Sequence, residues 1–199
     1  MPPAIHFSQD TILDEAFRIV RNEGLRAITA RKIARNLGCS TQPVYSAFGT
    51  IQALQDAVLQ KAKAYAVEYL LQGQQAREQS LAMAMQYFRF ARKEEVLFRL
   101  LFLEGDMAMT LETMPEFSGP LVERMKQDAK MQGLSEDRLK RIGRDMWIYT
   151  HGLVSFTYKT ERPDAEEFVR AQLFQMGQTV IEWERQQANL SILPSEEGE

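Results

Sequence analysis

The sequence predicts an all-α protein: an N-terminal three-helix domain containing a helix–turn–helix, followed by a larger helical bundle. Three observations carry that expectation. Apolar residues recur at helical spacing, and no stretch alternates apolar and polar residues as a half-buried strand does. Capping residues and glycines stand where the helical periods begin and end. The 199 residues, 45% hydrophobic and 26% charged, are enough for one or two small domains with a substantial core.

The first helix is expected from a cap at Ser8 to about Glu23, with Ile12, Leu13, Ala16, Phe17, Ile19 and Val20 as its apolar stripe and Gly24 as its stop. Leu25 and Ile28 turn inward before Thr29, whose hydroxyl can accept an unpaired N–H of the next helix. Ile33, Ala34 and Leu37 give that second helix one apolar edge, and Gly38 follows where a left-handed closing residue is needed. Ser40 is placed to cap a third helix over Thr41–Phe48, with Pro43 tolerated in its first turn. Val44 and Phe48 face inward; Thr41, Gln42, Tyr45 and Ser46 are left outward. A short helix of this kind has the dimensions to enter a DNA major groove.

The charge pattern points the same way. From Gly24 to Gln55 there is no Asp or Glu, but there are Arg26, Arg31, Lys32 and Arg35, within a chain of formal net charge −3. DNA affinity comes largely from neutralising phosphates, so a local basic patch on an acidic protein is informative. A solvated basic face on an ordinary helical bundle would have the same charges. The turn residues and the outward polar set favour DNA.

These residues resemble the TetR-type one-component regulators. The resemblance lies in Ile12–Gly24 (ILDEAFRIVRNEG), Ile28-Thr29, Ile33-Ala34, Leu37-Gly38, Val44-Tyr45, Phe48 and Leu54, within residues 8–58. The segment WIYTHGLVSF, Trp147 to Phe156, is similar to a Trp-His-Gly signature of one branch of that family. The resemblance implies a DNA-reading third helix. Thr41, Gln42 and Pro43 then approach base edges, with Gln42 able to pair bidentately with adenine and Pro43 limited to apolar contact. Tyr45 contacts phosphate and positions without reading sequence. Arg31 reaches base or backbone. Lys32 and Ser46 complete the expected surface, with Thr29. Ile51 stands where the family usually has a phosphate-binding lysine; Thr50, capping the fourth helix, can substitute in part.

The remainder divides into a fourth helix over Ile51–Leu71 and further helices at about Glu78–Arg92, Glu94–Glu104, Gly119–Gln132, Ser135–Thr160 and Asp164–Gln187. The domains expected are 7–50 for DNA binding, 51–188 for effector binding and dimerisation, and 189–199 as a flexible acidic tail. Of ten methionines and eleven phenylalanines, nine and eight lie beyond residue 60. The plain reading is a core whose gaps methionine fills. The sharper one is an apolar pocket between helices, and the resemblance implies such an effector pocket. Phe88, Phe98, Phe102, Met125, Trp147 and His151 are its candidates, with the loop Asp106–Gly119 at the mouth. His151 shares a helix face with Trp147 and Ser155 and, if buried, needs a hydrogen-bond partner. Gly152 suits close approach of another helix, or room for a ligand.

The last two helices carry more apolar residues than one small bundle buries. Phe168, Phe174, Val180, Ile181 and Trp183 are the expected homodimer surface, and a two-fold dimer doubles the length of DNA read. One cysteine, Cys39, excludes an internal disulfide, and its ordinary role is that of a small hydrophobe. Two histidines without partners at ligand spacing give no metal site, and no cofactor is expected. The first ten residues lack a signal-peptide pattern, and no apolar run is long enough to span a bilayer. A cytoplasmic protein with no membrane partner follows.

No nucleophile–base pair or carboxylate pair stands out, which argues against an enzyme. The function expected is a ligand-responsive transcription regulator, a repressor released from a palindromic operator in double-stranded DNA by a small apolar or amphipathic effector. In the family resemblance, movement of the fourth helices separates the DNA-reading heads. The alternative is a helical small-molecule-binding protein without specific DNA binding, which explains the pocket but not the acid-free basic stretch.

Overall fold

In a computed structural model, residues 7–72, 79–104, 122–123 and 125–190 are described. The fold is all-α, with no strand among the described residues. Helices α1 (Gln9–Glu23), α2 (Ala30–Leu37), α3 (Gln42–Phe48) and α4 (Ile51–Leu71) follow in order. Then come α5 (Gln79–Lys93), α6 (Glu95–Phe98) continuing into a π turn over Arg99–Leu103, α7 (Glu136–Thr157) and α8 (Ala165–Leu190). Between α6 and α7, Val122–Glu123 and Met125–Gln127 are also helical. The expected loop Asp106–Gly119 and the start of the helix after it lie outside the described residues, as does the tail from 191. Ala188 and Asn189 belong to α8 and not to a frayed tail.

The chain forms two compact units, Met1–Glu68 with Lys93–Met109, and Tyr69–Arg92 with Thr110–Glu199. An expected boundary at residue 50 differs from this division, because α4 buries Leu54, Val58 and Ala62 completely. Most of α4 belongs with the three-helix head, and α6 packs on α1 in the same unit.

The head folds as its sequence dictates. Ser8 Oγ accepts the Thr11 N–H at 3.1 Å, and Gly24 closes α1 at φ +87°, its N–H on the Val20 carbonyl at 2.8 Å. Ile12, Ala16, Ile19 and Val20 are buried. Thr29 Oγ1 accepts the Lys32 N–H at 3.1 Å to start α2. Gly38, left-handed at φ +69°, ends it, and the next N–H, of Cys39, returns to the Ala34 carbonyl at 2.9 Å. Burying Ile33 and Val44, at 0% and 1% exposure, contributes on the order of 1.5–3 kcal/mol each.

One detail departs from expectation. Ser40 does not cap α3; Thr41 is the boundary residue, and no side-chain bond closes that end. The Tyr45 N–H bonds back to the Thr41 carbonyl at 3.4 Å, so the start of α3 lies one residue beyond Ser40, and Pro43 has no N–H to offer a cap there.

In the second unit α7 and α8 pack together. Glu184, late in α8, meets Arg138 and Arg141, early in α7, and Gly177 lies near Met146, so the pair is antiparallel. Val122, Met125, Met131, Leu139, Ile142 and Ile181 form one core cluster there.

Candidate nucleic-acid interface and ligand cavity

The outer face of α2 and α3 is built by the turn between them. Val44 points inward at 1% exposure, which turns its neighbours outward: Gln42 and Ser46 are exposed, and Tyr45 is half exposed at 50%. Thr41 and Pro43 are partly covered. Arg26, Arg31 and Arg35 are exposed and form no ion pair among the described residues. Thr29 and Thr50 accept the Lys32 and Ala53 N–H groups at 3.1 and 3.0 Å, which leaves each hydroxyl hydrogen free to donate outward.

Lys32 differs from the arginines. Its ammonium pairs with Glu23, one residue outside the acid-free window, so it already has an acidic partner. Asn36 is likewise engaged, donating to Glu15 Oε1 at 2.7 Å. Cys39 is half-buried, not fully enclosed.

A second site lies in the other unit: an apolar cavity of about 110 Å³. Tyr87, Met125, Met146, Trp147, Leu173 and Ile181 are among its walls. Of the six pocket residues expected from sequence, Met125 and Trp147 line it. Phe88 is buried beneath the Arg92 guanidinium, 5.7 Å from its ring centre, and is not a lining residue. Phe98 and Phe102 belong to the other unit, where their rings pack at 5.7 Å. Their spacing on α6 and the π turn directs them into the core of the head.

His151 stands behind the wall. Its Nδ1 is 2.8 Å from the Tyr87 hydroxyl, and its ring stacks near Trp147, with centroids 6.1 Å apart. Burial pushes the Tyr87 phenol well above its usual range and holds the His151 imidazolium below its own. Both groups are therefore neutral near pH 7 and share one hydrogen bond, whose donor is set by the imidazole tautomer. The expected partner of the histidine is thus a tyrosine that itself lines the cavity.

Sequence reasoning missed several polar residues of this cavity, Ser80, Asp128, Lys130, Thr150 and Gln178. No periodicity marks a serine in the first turn of a helix as a wall residue.

The expected dimer residues separate into two groups. Ile181 is buried in its own subunit's core and lines the cavity; Val180 packs partly on the same core. Phe174 is 43% exposed with the Lys130 ammonium 5.0 Å from its ring centre, and Phe168 is half-covered by Arg162. Trp183 is 59% exposed. Two residues outside the expected set are also uncovered: Ile148 and Phe156 on α7, at 51% and 90% exposure. Gly152 lies between them at i+4, and a methyl group there would meet nothing within 4 Å. Among the described residues no helix crosses closely at Gly152.

No protein-family model matches the sequence, and no curated protein does. Solved structures do match the fold. A tetR-family transcriptional regulator from Streptomyces coelicolor superposes with a TM-score of 0.67 at 16% identity, over 88% of this chain and 81% of that one. A substituted TetR from Acinetobacter baumannii AYE, solved in complex with minocycline, superposes with a TM-score of 0.56 at 16% identity, over 90% and 97%. The class the coordinates define is therefore the all-α fold of those regulators, a helix–turn–helix head followed by a helical domain.

Proposed function

We propose that this protein is a ligand-responsive DNA-binding transcription regulator of the TetR type, acting as a homodimer on a palindromic operator in double-stranded DNA. The observation that carries the reading is the α2–α3 face. It presents exposed Gln42 and Ser46, half-exposed Tyr45, and Arg31 and Arg35, which with Arg26 in the turn before α2 form no ion pair among the described residues. Gln42 and Arg31 read base edges; Tyr45, Thr29 and Thr50 hold phosphates. Thr41 and Pro43 border the bases, and Lys32 is a lesser contact because Glu23 holds it. The Trp147–Phe156 segment supports the Trp-His-Gly branch.

The dimer surface is the α7 stripe Ile148, Gly152 and Phe156, with Trp183 of α8. A phenylalanine 90% exposed beside a glycine open to approach is the composition of a helix–helix contact awaiting a second copy. The cavity takes a small apolar effector, which relieves repression if it binds the DNA-competent and released states with different affinity. Helix α4 links the two functions, since Thr50 caps one end and Leu70 near the other lines the cavity. No helix among the described residues is long and apolar enough to cross a membrane; action on chromosomal DNA puts the protein in the cytoplasm.

The test is selection of genomic fragments by the purified protein, followed by titration of the enriched fragment. Recovery of one fragment class with an inverted repeat supports the proposal. Uniform recovery of all fragments, or none, contradicts it and leaves a ligand-binding helical protein.

A further inference from the structure

We propose that the cavity selects an uncharged, compact aromatic ligand carrying one hydrogen-bonding group, which the Ser80 hydroxyl anchors. The inference deepens the effector reading above and rests on it.

Ser80 is a wall residue of the cavity, and its Oγ, which has almost no accessible surface in the unliganded protein, has no hydrogen-bond partner among the described residues; a change of χ1 rotamer turns the hydroxyl to the void. A buried hydroxyl left unpaired is unfavourable, and a ligand that completes its bond removes that penalty. The rest of the wall offers little competition. Trp147, Tyr87 and Phe174 supply aromatic surface, and Met83, Met131 and Met146 supply polarisable thioethers that reshape around a ring. The Tyr87 hydroxyl is already committed to His151.

The apolar wall disfavours charge on the ligand. The titratable groups lining the cavity are Tyr87, Asp128 and Lys130. Tyr87 is neutral, and Asp128 and Lys130 are one charge of each sign. Asp128 Oδ1 accepts the Lys130 N–H at 2.9 Å, and the Lys130 ammonium sits 5.0 Å from the Phe174 ring centre. A carboxylate or ammonium entering the apolar wall would lose its hydration. At about 110 Å³ the cavity is smaller than the roughly 150 Å³ engineered apolar cavity that takes benzene, so it suits no more than a single ring.

The experiment is a ligand-observed NMR titration of the full chain with p-cresol, toluene and p-toluate. The expected order is p-cresol tightest, toluene about fivefold weaker, and p-toluate weakest. In Ser80→Ala, p-cresol should fall to within about twofold of toluene, while the unliganded variant melts no lower than the parent, because an unpaired hydroxyl has been removed. A structural serine would instead lower the melting temperature. Equal binding of p-cresol and toluene, a preference unchanged in Ser80→Ala, or tightest binding of p-toluate would overturn the proposal. If none of the three binds, both this proposal and the assignment of the cavity as an effector site fall, while DNA binding is judged independently by the fragment selection.

Discussion

Arg21 and Glu94, 73 residues apart in sequence, form a two-pronged ion pair that ties α1 to the start of α6. Glu94 is almost fully buried, and the Tyr65 hydroxyl of α4 donates to its Oε1 at 3.0 Å. The Arg21 guanidinium also lies 5.4 Å from the Tyr65 ring centre. Three elements of one unit thus meet at a single carboxylate. Removing one partner of a fully buried pair costs about 3–5 kcal/mol. Arg21 is 41% exposed, which reduces its share through solvent screening. Arg21→Ala should therefore destabilise the protein by about 1–2 kcal/mol, read as a lowered denaturation midpoint in urea. Tyr65→Phe, which removes one hydrogen bond, should cost about 1 kcal/mol. No loss in Arg21→Ala would mean that the pair contributes only geometry.

The α2–α3 face makes separable predictions. Gln42→Ala should change which operator sequences are preferred, whereas Tyr45→Phe should weaken binding to all sequences alike. A competition assay over a randomised operator library distinguishes them. An unchanged base preference in Gln42→Ala would remove that residue from the reading surface.

Among the cations, Arg31→Ala should lower the slope of log affinity against log salt by about 1 if it contacts phosphate. Lys32→Ala should change the slope less, because Glu23 already pairs with that ammonium. An equal effect for the two residues would contradict the distinction.

The His151–Tyr87 pair sets a pH dependence. Burial lowers the His151 pKa in the folded protein below its ordinary value near 6.5. A depressed histidine means that the unfolded chain binds the proton more readily. The stability associated with the neutral ring is present above pH about 6.5 and is lost as pH falls through the folded pKa. Urea unfolding from pH 8 to pH 5 should show this decline, and His151→Gln should flatten it. A decline of the same size in His151→Gln would assign it to other groups.

The exposed apolar stripe predicts self-association. Phe156→Glu and Trp183→Asp should each shift the protein from dimer to monomer in sedimentation velocity. An unchanged sedimentation profile in both variants would rule out this surface.

The head was legible because local rules decide it. Ser8, Gly24, Thr29 and Gly38 are strong signals of where a helix starts or stops, and each stands where it was read. Ser40 failed because the boundary residue of α3 lies one position later, at Thr41, with no side-chain bond at that end. The cavity was less legible. Phe98, Phe102 and Trp147 are all large and apolar, and composition cannot tell which of them faces a void and which fills a core. That choice depends on partners far away in sequence, as Glu94 with Arg21 illustrates. Ile148 and Phe156 were passed over for a related reason. An apolar residue on a helix face reads as core until the structure leaves it uncovered.

The most direct test of the central claim is fluorescence anisotropy of a duplex carrying the selected operator, titrated with protein at several salt concentrations. The account predicts saturable binding at least a hundredfold tighter than to a scrambled duplex, weakening steeply as salt rises, and lost in the Arg31→Ala and Gln42→Ala double variant. Equal affinity for operator and scrambled duplex, or undiminished binding by the double variant, would contradict it.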